Sequence, residues 1–316
     1  MDQAKGAKVR IVADWEESYG VSPATAGGTV IKFNAESLSA TQSQDTPKTI
    51  TGSRNPVEPI LGNIDVAGSL TLPAELYSMG VIFKALLGQP TTAESGSHFS
   101  HVFKVAEAVP SMVIEKGFTD IGKYFLYHGC KVSKFEIEVG GEKELTYEAA
   151  IMGAKRDINA APYDNDPAVM PFVRLQNFRA EIWEGGSKLA NISGMKLSLD
   201  AGLDGDSFAI GGEGYRGELS EGIINISGSL TAFFTDTTLH EKAISSAKSS
   251  IKLRLGTPDP AMYVEILLPE IKFAQKDPEV SGPKGILAEL EFGGFYDSSP
   301  ENSSVVVTIV NEKQSY

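Results

Sequence analysis

Four histidines and one cysteine carry the most obvious chemistry in this 316-residue chain. His98 and His101 stand three apart, a spacing that on a helix would turn both imidazoles to one face, where they could share a metal ion. Residues 96–101 read instead as a loop or strand start, and they contain no carboxylate or thiol to complete a ligand set. Cys130 beside His128 pairs a nucleophile with a base. Catalytic triads gather from distant segments, however, so this pair reads as a partly buried structural thiol. Asp200, Asp204 and Asp206 miss the alternate spacing of a calcium loop and fit turn chemistry. Gly211, Gly212 and Gly214 lack the Lys-Ser or Lys-Thr of a phosphate loop. Trp15 and Trp183 are isolated, as core or interface anchors usually are, although lone aromatics can also form a sugar platform. The expectation is a protein with no catalytic, cofactor-binding or metal-binding residues.

The elements that would position such residues are mostly strands. Residues 131–139 alternate polar and apolar, Gly140 and Gly141 supply a turn, and residues 144–151 return, which predicts a hairpin with one wet and one buried face. Residues 196–201, 222–227, 250–255 and 304–310 carry the same signal. Helical spacing appears twice: at 74–87, with Gly88 placed to cap the end, and at 236–248, with Asp236 as N-cap. With 41% apolar residues and 32 glycines, the chain suits many short strands joined by tight turns.

A net charge of −13 and a pI near 4.9 argue against a protein that grips nucleic acid through clustered Lys and Arg. Acidity also suits solubility, or a wall that repels DNA. A single cysteine rules out an internal disulfide framework and fits a reducing cytoplasm. The first residues lack the apolar core of a signal peptide, and no run approaches the length of a membrane span. A soluble product made inside the cell is expected.

An internal repeat organises the chain. Residues 62–71 recur as residues 222–231, with Gly62, Ile64, Gly68, Ser69, Leu70 and Thr71 matched by identical residues, and Ile50 and Gly52 meet Ile210 and Gly212 at the same offset. Each copy precedes one helix, and each half ends on a similar strand, 148–153 and 289–294. Gly62, Gly68, Ser69, Gly222, Gly228 and Ser229 are the candidate turn of the repeat. The expected division is a first domain over 1–160 and a second over 161–316, joined at the Pro-bearing stretch 160–167. Two polar stretches stand apart. The arm 1–28 could order only against a neighbour, and the loop 36–59 is of a length that fits either a binding segment or plain surface disorder.

The stretch 62–70 followed by 77–88, with the hairpin of 131–139 behind His128, Gly129 and Cys130, resembles the tail tube proteins of long-tailed bacteriophages. The layout covers most of the chain, although its motifs are short. The resemblance implies a mainly β fold: two similar β-sandwich or barrel tail-tube domains in tandem, each with a flanking α-helix. It also implies a structural virion protein whose rings stack into the tail tube and pass DNA without binding it. Rings of this family usually present six tube domains, so a tandem chain implies a homotrimeric, pseudo-sixfold ring. Implied partners are further copies, the tape measure protein and the tail terminator or baseplate proteins, with no membrane and no cofactor. The implied location is the virion tail, after synthesis in the host cytoplasm. Gln42, Asp45, Lys48, Arg54 and Glu58 become candidates for contact between rings. Another ring-forming virion protein, a carbohydrate-binding β-sandwich and, more remotely, a hydrolase are the competing readings.

Overall fold

The computed structural model describes residues 3–280, 282 and 285–316. Among them are twenty strands, two α-helices and two short 3-10 turns, so the chain is mainly β. The first half runs β1 (Val9–Trp15), β2 (Thr29–Ile31), β3 (Ala35–Glu36), β4 (Ser39–Asp45), β5 (Ile60–Pro73), α1 (Ser78–Leu87), β6 (Thr91–Ser95), β7 (His98–Lys104), β8 (Met112–Phe118), β9 (Lys123–Gly140) and β10 (Thr146–Gly153). β11 (Lys155–Asn159) and β12 (Ala168–Val169) lead onward. The second half runs β13 (Ala180–Glu184), β14 (Ser187–Lys188), β15 (Ile192–Asp200), β16 (Asn225–Phe233), α2 (Thr238–Ile244), β17 (Ser249–Gly256), β18 (Tyr263–Phe273), β19 (Leu287–Gly294) and β20 (Val306–Asn311).

The two halves pair their strands in the same way. β1 pairs β2 and β8, β8 pairs β9, β9 pairs β10, and β5 lies between β10 and the β3–β4 run. One repeat later, β13 pairs β14 and β17, β17 pairs β18, β18 pairs β19, and β16 lies between β19 and β15. Registers match too. Glu148 faces Thr71 and Gly153 faces Val66, while Glu289 faces Thr231 and Gly294 faces Ile226. The halves meet where β9 pairs β15, with Lys134 opposite Asp200 and Glu138 opposite Lys196. A second junction is made by β20, which lies between β18 and β7.

Alternation explains the core. Phe135, Ile137 and Val139 on β9, Tyr147, Ala149 and Ile151 on β10, and Leu197 and Leu199 on β15 are all buried, while the residues between them face outward. α1 packs Met79, Ile82, Phe83 and Leu86 onto this inner face, with Phe83 4.8 Å from the Phe135 ring. It begins at Ser78, not at residue 74. Glu75, buried, accepts the Tyr77 and Ser78 amides and so caps the helix at that point. Burial pushes the Glu75 carboxyl pKa up. α2 is likewise shorter than its apolar spacing predicts. Asp236 accepts the Thr238 amide at its start, and the left-handed Ser246 follows its end.

Three expectations need correction. The arm 1–28 contains β1, whose Ile11 and Val12 are buried, so it is ordered by its own chain through β2 and β8. The stretch 36–59 is not one loop: β4 pairs the outer half of β5 as a hairpin arm, and only 46–59 forms its tip. Gly68, Ser69, Gly228 and Ser229 lie inside strands β5 and β16 and do not form turns, and Gly62 is also within β5. Glycine is needed there for close approach. A Cβ on Gly68 would stand 2.5 Å from the Leu38 backbone, and one on Gly228 would stand 2.4 Å from both the Lys196 carbonyl and the Phe292 ring. Gly222, just before β16, is pressed against the Gly202 carbonyl in the same manner.

Candidate assembly surfaces

The wet face of the central strands is a groove of about 590 Å³. Its floor carries Glu136 and Glu138 from β9, Glu148 from β10, and Glu289 and Glu291 from β19, with Ser198, Ser227 and Ser229 between them. Lys134 lies 2.7 Å from Glu136, and Lys196 lies 3.8 Å from Glu138. Carboxylates therefore outnumber cations here. Matching registers put Glu148 and Glu289 at equivalent points, each opposite a threonine.

The hairpin arm holds the five residues expected at contacts. Gln42 sits in β4 opposite Ile64 and donates to the Gly62 carbonyl, and Asp45 ends the strand opposite Ile60. Lys48, Arg54 and Glu58 are exposed on the tip, as is Ile50 at 96%. The structure thus gathers these five residues on one projecting arm.

The second half spends its equivalent segment differently. Residues 203–221 fold back over the first half, where the Ile64 amide donates to the Gly214 carbonyl. Arg216, buried, donates to the carbonyls of Gly205, Val66 and Gly153 and pairs with Asp65. Buried Lys131 donates to the Leu219 carbonyl and lies 2.7 Å from Glu221. Burial opposes the Glu221 charge, but hydrogen bonds from Lys131 and the Val109 amide outweigh it and lower the pKa. Period-2 reading passed over Lys131 and Arg216. Lys131 does stand at the head of the alternating run 131–139, but nothing in the sequence marks Arg216.

The residues with reactive side chains are occupied structurally. His101 Nε2 donates to the Lys313 carbonyl, its Nδ1 lies 2.9 Å from the Thr92 hydroxyl, and burial lowers its pKa. His98 is 4.0 Å from Asp259. His128 pairs with Asp157 at 3.0 Å and is likewise lowered by burial. Cys130 is fully buried, and burial raises its thiol pKa well above the usual value. Among the described residues, no cluster of His, Cys, Asp and Glu is arranged to hold a metal ion. No helix is long and apolar enough to cross a membrane. Trp15 packs on the core with Lys84 4.3 Å above its ring, and Lys252 stands 4.3 Å over Trp183.

An acidic groove across the sheet and a hairpin arm are thus the surfaces that this β fold exposes. The family model for phage tail tube proteins matches residues 6–294, nearly the whole chain, and the protein belongs to that family. It is a structural component of the phage tail. No curated protein matches the chain.

Proposed function

We propose that three copies of this chain close into a ring of six similar units, that rings stack into the tail tube, and that DNA passes along the acidic face during ejection. Each unit is one half of the chain, the first ending and the second beginning near residue 177, because the stretch 160–176 packs on the first half. There the Tyr163 amide donates to Glu115, and Arg10 donates to the Asp164 carbonyl. The observation that carries this reading is the repeated pairing scheme, which continues through β9 and β15 with an unused edge at either end.

One of those edges is the β3–β4 run, and the other is the exposed chain that follows β18. Among the described residues neither has an outer partner strand, and such edges are an aggregation hazard unless another chain completes them. The junction between copies would repeat the junction within the chain. Ser198 faces Glu136 on β9, so the corresponding Ser39 and Asp277 would face each other across copies. A contact of this head-to-tail kind closes rings when its rotation closes. Carboxylates on the lumen wall would keep phosphates from sticking, since binding needs Lys and Arg to neutralise them.

The hairpin tip, with Lys48, Arg54 and Glu58, would reach a neighbouring ring. The ends of the tube would meet the tape measure protein and the terminator or baseplate proteins. No step of this role calls for catalysis, and assembly would take place in the host cytoplasm. Negative-stain microscopy of concentrated protein tests the reading: hollow tubes with three chains per ring are expected. Rings of six whole chains would defeat the trimer, and an unassembled protein at high concentration would defeat the tube.

A further inference from the structure

Beside the end of β16 lies a groove of about 290 Å³ in which Leu189, Phe233, Phe234, Leu239, Pro278 and Leu290 form an apolar patch. Glu184, Asp236, His240, Lys242 and Lys276 are also in its lining. Phe233 is 54% exposed and Phe234 38%, so two consecutive aromatic side chains face outward at this strand end. Among the described residues, the Phe234 carbonyl and the Asp236 amide make no backbone hydrogen bond. The groove therefore places an apolar patch beside backbone groups ready to pair.

The first half shows what belongs there. The Ala74 amide donates to the Leu145 carbonyl, and one repeat later the Phe234 amide donates to the Ile286 carbonyl, so Ala74 and Phe234 are equivalent positions. Over Ala74–Leu76 lies the linker segment 173–175. The Leu76 amide donates to the Val173 carbonyl at 3.0 Å, and the Leu175 amide donates to the Ala74 carbonyl at 2.9 Å. Ala74, Glu75, Leu76 and Leu175 are all buried as a result. That linker then makes the 3-10 turn Asn177–Arg179, closed by the Arg179 amide on the Gln176 carbonyl, and enters β13.

Only one other 3-10 turn occurs among the described residues. It is Gly6–Lys8, closed by the Lys8 amide on the Lys5 carbonyl, and it leads into β1, the counterpart of β13. Counting back from the two turns, Lys5 corresponds to Gln176, Ala4 to Leu175 and Gln3 to Arg174. Within the chain, each half is covered by the segment leading into the half that follows it. After the second half, the next such segment belongs to another copy.

We infer that the groove beside Phe234 receives the segment around Gln3 and Ala4 of the neighbouring copy, which pairs its backbone with Phe234 and Asp236. The groove also includes Lys276 and Pro278, so it is continuous with the edge where Asp277 would meet the same neighbour. The inference rests on the ring reading and adds an ordered strap to it.

A designed disulfide tests it. Arg174 bridges Glu75 as an antiparallel pair flanked by the two hydrogen bonds above. Such narrow pairs hold Cα atoms at about 4.5 Å, within disulfide range. The corresponding double variant, Gln3→Cys with Thr235→Cys, alters exposed positions, and native Cys130 is buried. Oxidation of assembled protein should link chains to one another on a non-reducing gel, whereas either single variant should not. As a second measurement, Phe234→Glu should raise the concentration needed for assembly by roughly tenfold or more, the loss expected for one unburied aromatic. Tubes that form without linkage in the double variant, or that tolerate Phe234→Glu unchanged, overturn the strap and leave the tube reading standing. A wild-type chain that never forms rings overturns both.

Discussion

Buried polar residues clamp the two halves together, and they make the sharpest residue-scale predictions. Arg216 donates to the Gly205 carbonyl in its own loop and to the Val66 and Gly153 carbonyls of the first half. Arg216→Ala should cost about 3 kcal/mol, because buried acceptors lose their donor. Urea unfolding measures that loss, and hydrogen exchange should show residues 203–221 released. A second prediction concerns pH. Burial lowers the pKa of both His101 and His128, so on acidification the unfolded chain takes up protons first. Stability should be intact above the ordinary histidine value of about 6.5 and decline as pH falls below it toward the folded-state values. Thermal melts at pH 7.5 and 5.5 check this, and His101→Gln should reduce the drop. A melting temperature that is flat across that window, or that rises on acidification, would contradict the assignment. Glu221 adds a loss in the more acidic carboxylate range, since its pKa is depressed and its contribution disappears as it protonates.

At the scale of elements, the long strands depend on small residues at crossing points. Gly228→Val would drive a side chain into the Lys196 carbonyl and the Phe292 ring in the middle of the sheet. A loss of about 3 kcal/mol or more is expected, from overpacking that the backbone cannot relieve. Gly96→Ala is the contrast: the space is open, φ is +66°, and the cost should be about 1 kcal/mol from turn strain alone. Paired urea titrations would separate the two, and equal losses would remove the packing argument. The helices follow the same logic of local decision. Their apolar spacing is visible in the sequence, but buried Glu75 fixes where α1 starts, and Ser246 marks where α2 stops.

For the whole molecule, charge on the wet face is the testable quantity. Glu148 and Glu289 hold equivalent places in the two halves, so Glu148→Lys with Glu289→Lys reverses charge twice per chain. Wild-type tubes should not retain duplex DNA. Tubes of the double variant should retain it at low salt and release it as salt rises, because phosphate binding is driven by counterion release. A variant that still ignores DNA at low salt would argue that this face does not line the passage.

The sequence by itself determined the mainly β class, the hairpin of β9 and β10, the existence of both helices, and the repeated segment in β5 and β16. Period-2 and helical spacing are local signals, and glycine–serine identity survives inspection without coordinates. Only the tertiary structure decided that Gly68 and Gly228 lie inside strands, that β1 is held by β8 a hundred residues away, and that 39–45 pairs with β5. Each of these depends on which strand lies alongside, and that partner is remote in sequence. Arg216 in its polar loop and Lys131 at the head of a strand were hidden for the same reason: each cation gains its role only when distant carbonyls close around it. The groove beside Phe234 was equally out of reach. Its meaning comes from comparing one half, where a linker covers the site, with the other, where the site stands open.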